Sequence, residues 1–175
     1  MLTIRQATNA ADFDAARVLG WDYRALLEAS LTPAEWHVIG QVYDLPRYTL
    51  AMDRLELDHV PPDGALMLAY DGARPIGCAM ARRLTSQDCE WKRIFIQPTA
   101  QGQGAGRALC AALLAAARQA GYRRVLLDTA RSMTGARQLY AALGFTERGP
   151  YSALPPGGTA ALCFFEYRLQ PQGAV

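Results

Sequence analysis

Residues 90–107 read Glu-Trp-Lys-Arg-Ile-Phe-Ile-Gln-Pro-Thr-Ala-Gln-Gly-Gln-Gly-Ala-Gly-Arg. The β-branched and aromatic run Ile94-Phe95-Ile96 predicts a strand that Pro98 ends. A turn with glycine at 102, 104 and 106 follows, and an Ala/Leu-rich helix is expected over 108–120, stopped by Gly121. The pattern is strand, loop, helix. Without Cβ atoms the three glycines let successive backbone N–H groups converge on one point. The helix that opens there adds the positive end of its dipole. Such a turn binds an anion, most naturally a phosphate or pyrophosphate. Its spacing lacks the third glycine of a dinucleotide fingerprint and the Gly-Lys-Ser/Thr of a Walker loop. A purely structural glycine turn is the remaining alternative.

Working outward, a three-stranded meander is expected to lead into the turn, with further strands beyond it on both sides. Ala65–Tyr70 and Pro75–Leu84 are joined by the tight-turn dipeptide Asp71-Gly72, and Cys89–Ile96 completes an antiparallel meander. Downstream, Val125–Thr129 is a buried strand parallel to its predecessor, because a helix separates the two. Thr134–Leu143 is a helix stopped by Gly144, Phe145–Gly149 begins an extended segment, 154–158 is a Pro/Gly loop, and Ala161–Leu169 is the last strand. At the other end, Leu2–Ala7 is a strand and Ala11–Ala29 is a helix by its apolar spacing. Thr32-Pro33 with Glu35 marks a capped helix start, and 47–57 is a further helical stretch after Pro46. The layout is α+β with a central mixed sheet. One domain is expected over 1–175, with 170–175 a tail.

Composition narrows the classes. Of 175 residues 51% are apolar and 19% charged, as in a soluble globular protein, and a net charge of +2 offers nothing to nucleic acid. Lys92 is the only lysine among eighteen basic residues. Cys78, Cys89, Cys110 and Cys163 form no C-x-x-C and have no histidine close in sequence, so no metal site is expected and a reduced, cytoplasmic setting is the simplest reading. No apolar run has the length of a membrane span or a signal peptide.

Gln101-x-x-Gly104-x-Gly106, placed between a strand and a helix, is followed by Ala136-x-x-Leu139-Tyr140-x-x-x-Gly144-Phe145. Together the two motifs resemble the GCN5-related N-acetyltransferase (GNAT) family, and the resemblance covers at least residues 64–169. It implies a GNAT-like fold: a mostly antiparallel sheet splayed between its fourth and fifth strands, flanked by helices, with acetyl-CoA as co-substrate in the splay. The pyrophosphate would meet backbone N–H groups of Gln101, Gly102, Gln103, Gly104, Ala105, Gly106 and Arg107. The pantetheine arm would pair with backbone of Ile94, Phe95 and Ile96, one N–H of which would polarise the thioester carbonyl. Arg107 adds charge to a phosphate or faces solvent. Many members carry Asn where this chain has Met133, flanked by Ser132 and Thr134.

Acetyl transfer to an amine needs a base for the amine's proton and an acid for the departing sulfur. Glu90 is expected as the base. In the histone-modifying branch a catalytic Glu stands eleven residues before the Gln or Arg of the glycine motif, as Glu90 stands before Gln101. Strand alternation puts Glu90 and Ile94 on one face, barring a bulge. The other setting open to Glu90 is a surface carboxylate paired with Lys92 or Arg93. Tyr140 is expected as the acid, or as a helix residue packing beside Leu139 and Leu143. The acceptor is a primary amine of a small molecule, with a protein amine as alternative; a CoA-binding sensor without catalysis is the reading from another class. Trp21, Tyr23, Trp36, Tyr43 and Tyr48 line its pocket or fill the core, and Tyr151 borders it. The sequence does not choose between monomer and homodimer.

Overall fold

The computed structural model describes residues 1–170, so the expected tail lies outside the described residues except for Gln170. Among the described residues seven strands form one sheet, in the order β1-β2-β3-β4-β5-β7-β6. They are β1 (Leu2–Gln6), β2 (Ala65–Asp71), β3 (Arg74–Arg83), β4 (Asp88–Ile96), β5 (Arg124–Ala130), β6 (Thr146–Arg148) and β7 (Leu162–Arg168). Every pairing is antiparallel except β4 with β5, which is parallel across the helical crossover.

Four helices precede β2: α1 (Ala10–Ser30), α2 (Pro33–Val42), α3 (Leu45–Asp53) and α4 (Leu55–Asp58). α5 (Ala105–Gln119) follows the glycine turn, and α6 (Thr134–Ala142) follows β5. A short α7 (Gly158–Ala161) occupies the end of the expected Pro/Gly loop. The caps are local and match the sequence. Asn9 accepts from the N–H of Asp12 to start α1, and Thr32 and Glu35 form a reciprocal capping box at α2. Pro46 lies in the first turn of α3, where a missing N–H costs nothing, so the helix begins earlier than the expected 47.

Both faces of the meander are covered. Leu66, Leu68 and Tyr70 join Phe13, Leu19, Tyr48 and Met52 under α1 and α3. Ala65, Met67 and Ala69 pack with Leu109 and Leu113 of α5. A strand buried on both faces reads as one apolar run, as Ala65–Tyr70 does. Among the described residues no helix is long and apolar enough to cross a membrane.

β4 carries an irregularity that decides the site. Opposite β3, Cys78 faces Phe95 but Met80 faces Lys92, so β4 holds one extra residue. Arg93 sits there with φ +53, a left-handed conformation that costs a non-glycine residue on the order of 1 kcal/mol. The bulge reverses the facing of the rest of the strand. Ile94 and Ile96 pack on the α5 side and Phe95 on the α1 side. The expectation that Glu90 and Ile94 share a face therefore does not hold.

Candidate active site

β4 and β5 pair only from Asp88–Arg124 to Glu90–Leu126. Past that point β4 keeps β3 and β5 keeps β7, so the sheet opens between them. The bulge at Arg93 adds to this divergence, since bulges bend and twist a strand. The opening holds a cleft of about 390 Å³. Of the expected cofactor residues, Ile94, Phe95, Ile96, Gln101, Gly102, Gly104, Ala105 and Gly106 line it. Gln103 and Arg107 are exposed and do not.

At the far end of the cleft the glycine turn is built as an N–H cradle. Gly102 and Gly104 have φ of +78 and +82, and a Cβ at either would project into open space. Gly104 is the N-cap of α5 and has no side chain to satisfy the first-turn donors. Among the described residues the backbone N–H groups of 102–107 have no protein acceptor. Gln101 Nε2 donates to the Ile96 carbonyl at 3.2 Å, tying the turn to the strand.

A smaller chamber of about 30 Å³ adjoins the cleft and shares Tyr23, Ile94, Met133, Ala136 and Tyr140 with it. Tyr43, Lys92 and Asp128 complete its polar wall. Tyr140 is buried, and among the described residues no protein group accepts from its hydroxyl. Burial raises its pKa far above that of a free phenol, so it keeps its proton. Tyr23 is held up by burial in the same way. Met133 lines the cleft while Ser132 and Thr134 do not. The Ser132 N–H instead donates to Glu35 at 2.8 Å, fastening α2 to the rim.

Glu90 stands behind this wall. It is 3% exposed and lines neither cavity. Arg82 donates to its Oε2 through Nε at 2.9 Å and Nη2 at 2.7 Å. Lys92 Nζ lies 2.8 Å from its Oε1, and the Tyr151 hydroxyl is 2.9 Å from the same atom. Burial pushes its pKa up, but Lys92 and Arg82 outweigh burial and hold it below the usual range. Of the two settings the sequence left open, the pairing with Lys92 is present, in the interior rather than at the surface. Lys92 is pulled down by burial and held up more strongly by Asp128 and Glu90, so it is an ammonium.

Sequence reasoning missed Asp128. Its side chain is 25% exposed and lines the small chamber, 3.1 Å from Lys92 Nζ and 3.1 Å from the Tyr151 hydroxyl. The available signal was a lone carboxylate inside the apolar run Val125–Thr129. The early aromatics divide: Tyr23 and Tyr43 reach the chamber, whereas Tyr48 is core and bonds the Gly20 carbonyl. Tyr151 arrives from the segment after β6 and packs edge-on against Phe164, 5.8 Å between centroids.

Comparison with known proteins agrees with this geometry. The acetyltransferase (GNAT) family matches residues 26–145. The chain belongs to the GNAT acetyltransferase family. A protein of Azospirillum brasilense named IAA acetyltransferase is 31% identical over 133 residues, covering 71% of this chain and 87% of its own. Among solved structures, an N-acetyltransferase of Thermoplasma acidophilum in complex with coenzyme A superposes with a TM-score of 0.69 at 13% identity, covering 97% of this chain and 99% of that one. A GNAT acetyltransferase of Elizabethkingia anophelis with acetyl-CoA bound gives 0.60 at 20% identity, with 96% and 98% covered. This GNAT chain is accordingly an acyltransferase.

Proposed function

We propose that this enzyme transfers acetyl from acetyl-CoA to a primary amine of a small molecule, with Asp128 taking the amine's proton and Tyr140 holding the proton for the departing sulfur. One observation carries the reading: Asp128 and Tyr140 line the same chamber, and that chamber opens from the cleft that ends at the glycine turn.

The residues fit the co-substrate. Six consecutive N–H groups without acceptors among the described residues, at the start of a fifteen-residue helix, suit a pyrophosphate. Among the described residues the edge of Ile94–Ile96 that faces away from β3 has no partner strand, and it suits the amides of a pantetheine arm. Bound there, acetyl-CoA supplies an activated acetyl thioester. The chain then positions the amine, excludes water and handles two protons.

Glu90 keeps a role, but not the one expected. A carboxylate filled by four donors and kept ionised by two cations is a poor proton acceptor. It anchors Lys92 and Tyr151 around Asp128. The small chamber, walled by Tyr23, Tyr43 and Tyr140, suits a slender alkyl amine.

Release of CoA thiol against a panel of small amines tests the reading. Asp128→Asn should lower kcat/KM on any accepted amine by about 100-fold or more. Acetyl-CoA binding without turnover on any amine, or full activity of Asp128→Asn, would refute it.

A further inference from the structure

Four polar atoms close a ring in the gap between β4 and β5. Lys92 Nζ lies 2.8 Å from Glu90 Oε1 and 3.1 Å from Asp128 Oδ2. Tyr151 Oη lies 2.9 Å from the same Glu90 oxygen and 3.1 Å from the same Asp128 oxygen. Each carboxylate oxygen therefore touches both the ammonium and the phenol. An ammonium has three protons and fills both of its edges of the ring. A phenol has one proton and fills only one of its two edges. With both carboxylates ionised, one edge sets oxygen against oxygen with no proton between them. A proton added to a carboxylate oxygen fills that edge, because the phenol oxygen accepts while its own proton donates.

We propose that Tyr151 is a positioning residue for the base: it closes a ring with Lys92, Glu90 and Asp128 that is one proton short and takes that proton from the incoming amine. The inference rests on the acetyl-transfer reading above. In the step, one N–H bond of the substrate ammonium breaks, an O–H bond forms at Asp128 Oδ2, and the nitrogen keeps the electron pair. Asp128 then donates to Tyr151 Oη, Tyr151 donates to Glu90 Oε1, and Lys92 donates to both carboxylates. The proton settles on Asp128 because Glu90 is fixed as an anion by the two Arg82 donors on its other oxygen. It leaves to solvent from the Asp128 side chain, which is partly exposed.

The ring is held from every side. Tyr23 of α1, Tyr43 at the end of α2, Arg93 of β4 and Tyr140 of α6 line the chamber with it. Arg82 approaches from β3. Arg148 of β6 lies 6.0 Å over the Tyr151 ring and is itself paired with Glu166 of β7. Of these groups, among the described residues, Arg82 makes a hydrogen bond to the ring. The edge-on contact of Tyr151 with Phe164 involves only the aromatic ring, so it persists in Tyr151→Phe.

Lys92 is the only lysine, so lysine labelled with ¹⁵N in its side chain gives one ammonium signal, from inside the ring. The full chain, without acetyl-CoA, is titrated by NMR between about pH 4 and pH 8, a window around the carboxylate range. The signal should move in one step as the ring takes its proton. Tyr151→Phe should displace that step to lower pH by about one pH unit, the effect of one hydrogen bond. Asp128→Asn should abolish it. A signal that does not move, or a step that Tyr151→Phe leaves in place, overturns the ring whatever the activity. If the step moves as stated and no amine is acetylated, the ring stands and the acetyl-transfer reading falls. Where an amine is accepted, the acidic limb of kcat/KM should shift with the step.

Discussion

The Lys92 ammonium stands 3.1 Å from the Asp128 carboxylate, across the gap where β4 and β5 have stopped pairing. A charge pair thus takes the place of ladder hydrogen bonds at the mouth of the splay. It puts a carboxylate on the wall of the chamber.

Removing that cation should cost stability in a pH-dependent way. Lys92→Met leaves Glu90 and Asp128 facing each other with one less compensating charge. The loss should be about 3 kcal/mol near pH 8, from breaking a largely buried ion pair. It should shrink toward pH 5 as a carboxylate takes up a proton. Urea denaturation at the two pH values checks both the loss and its slope.

Glu90 governs part of the acid limb of stability. Its folded pKa is below the ordinary 4.5, so its contribution is full above that value and disappears as pH falls through the depressed value. Glu90→Gln should cost about 2 kcal/mol at pH 7, because Arg82 and Lys92 lose their anion. The variant should also show a shallower loss of stability below pH 4.5 than the wild type. Thermal unfolding of both proteins across this range measures the difference.

Among the described residues the Tyr140 hydroxyl has no protein partner, and burial at the junction of cleft and chamber keeps it protonated. Tyr140→Phe keeps the packing against Phe145 and Phe165. Turnover should drop about 100-fold while acetyl-CoA affinity changes by no more than about twofold. Steady-state kinetics paired with calorimetric titration separates the two.

Gly104 tests the cradle independently of the acceptor. Its φ of +82 means that Gly104→Val strains the turn, and the added side chain crowds the N–H groups proposed to hold the pyrophosphate. Acetyl-CoA affinity should fall at least about tenfold, with about 1–2 kcal/mol of lost stability from the backbone. Titration calorimetry and a melting curve on the same sample report the two effects.

Much of this was legible in the chain because the forces involved are local. The glycine turn, the start of α5, the Thr32–Glu35 box and the Asp71-Gly72 hairpin each depend on residues within a few positions of one another. The pairing of the two motifs 101–106 and 136–145 carried the family and the splay. Tyr151 stood out in the sequence, but its contacts with Glu90 and Asp128 did not. Glu90 was legible as a carboxylate next to Lys92, and misplaced in its facing.

What the sequence determined by itself is therefore the order of elements, the glycine turn that opens α5 and the family to which these belong. Tertiary structure alone decided the rest. The extra residue at Arg93 is measured against β3, and no property of β4 alone announces it. β7 slides between β5 and β6, a choice made by sheet pairing across the whole fold. Glu90, Lys92, Asp128 and Tyr151 meet from three separate segments. Register and long-range charge pairing are properties of partners brought together, so they become readable only once the chain has folded.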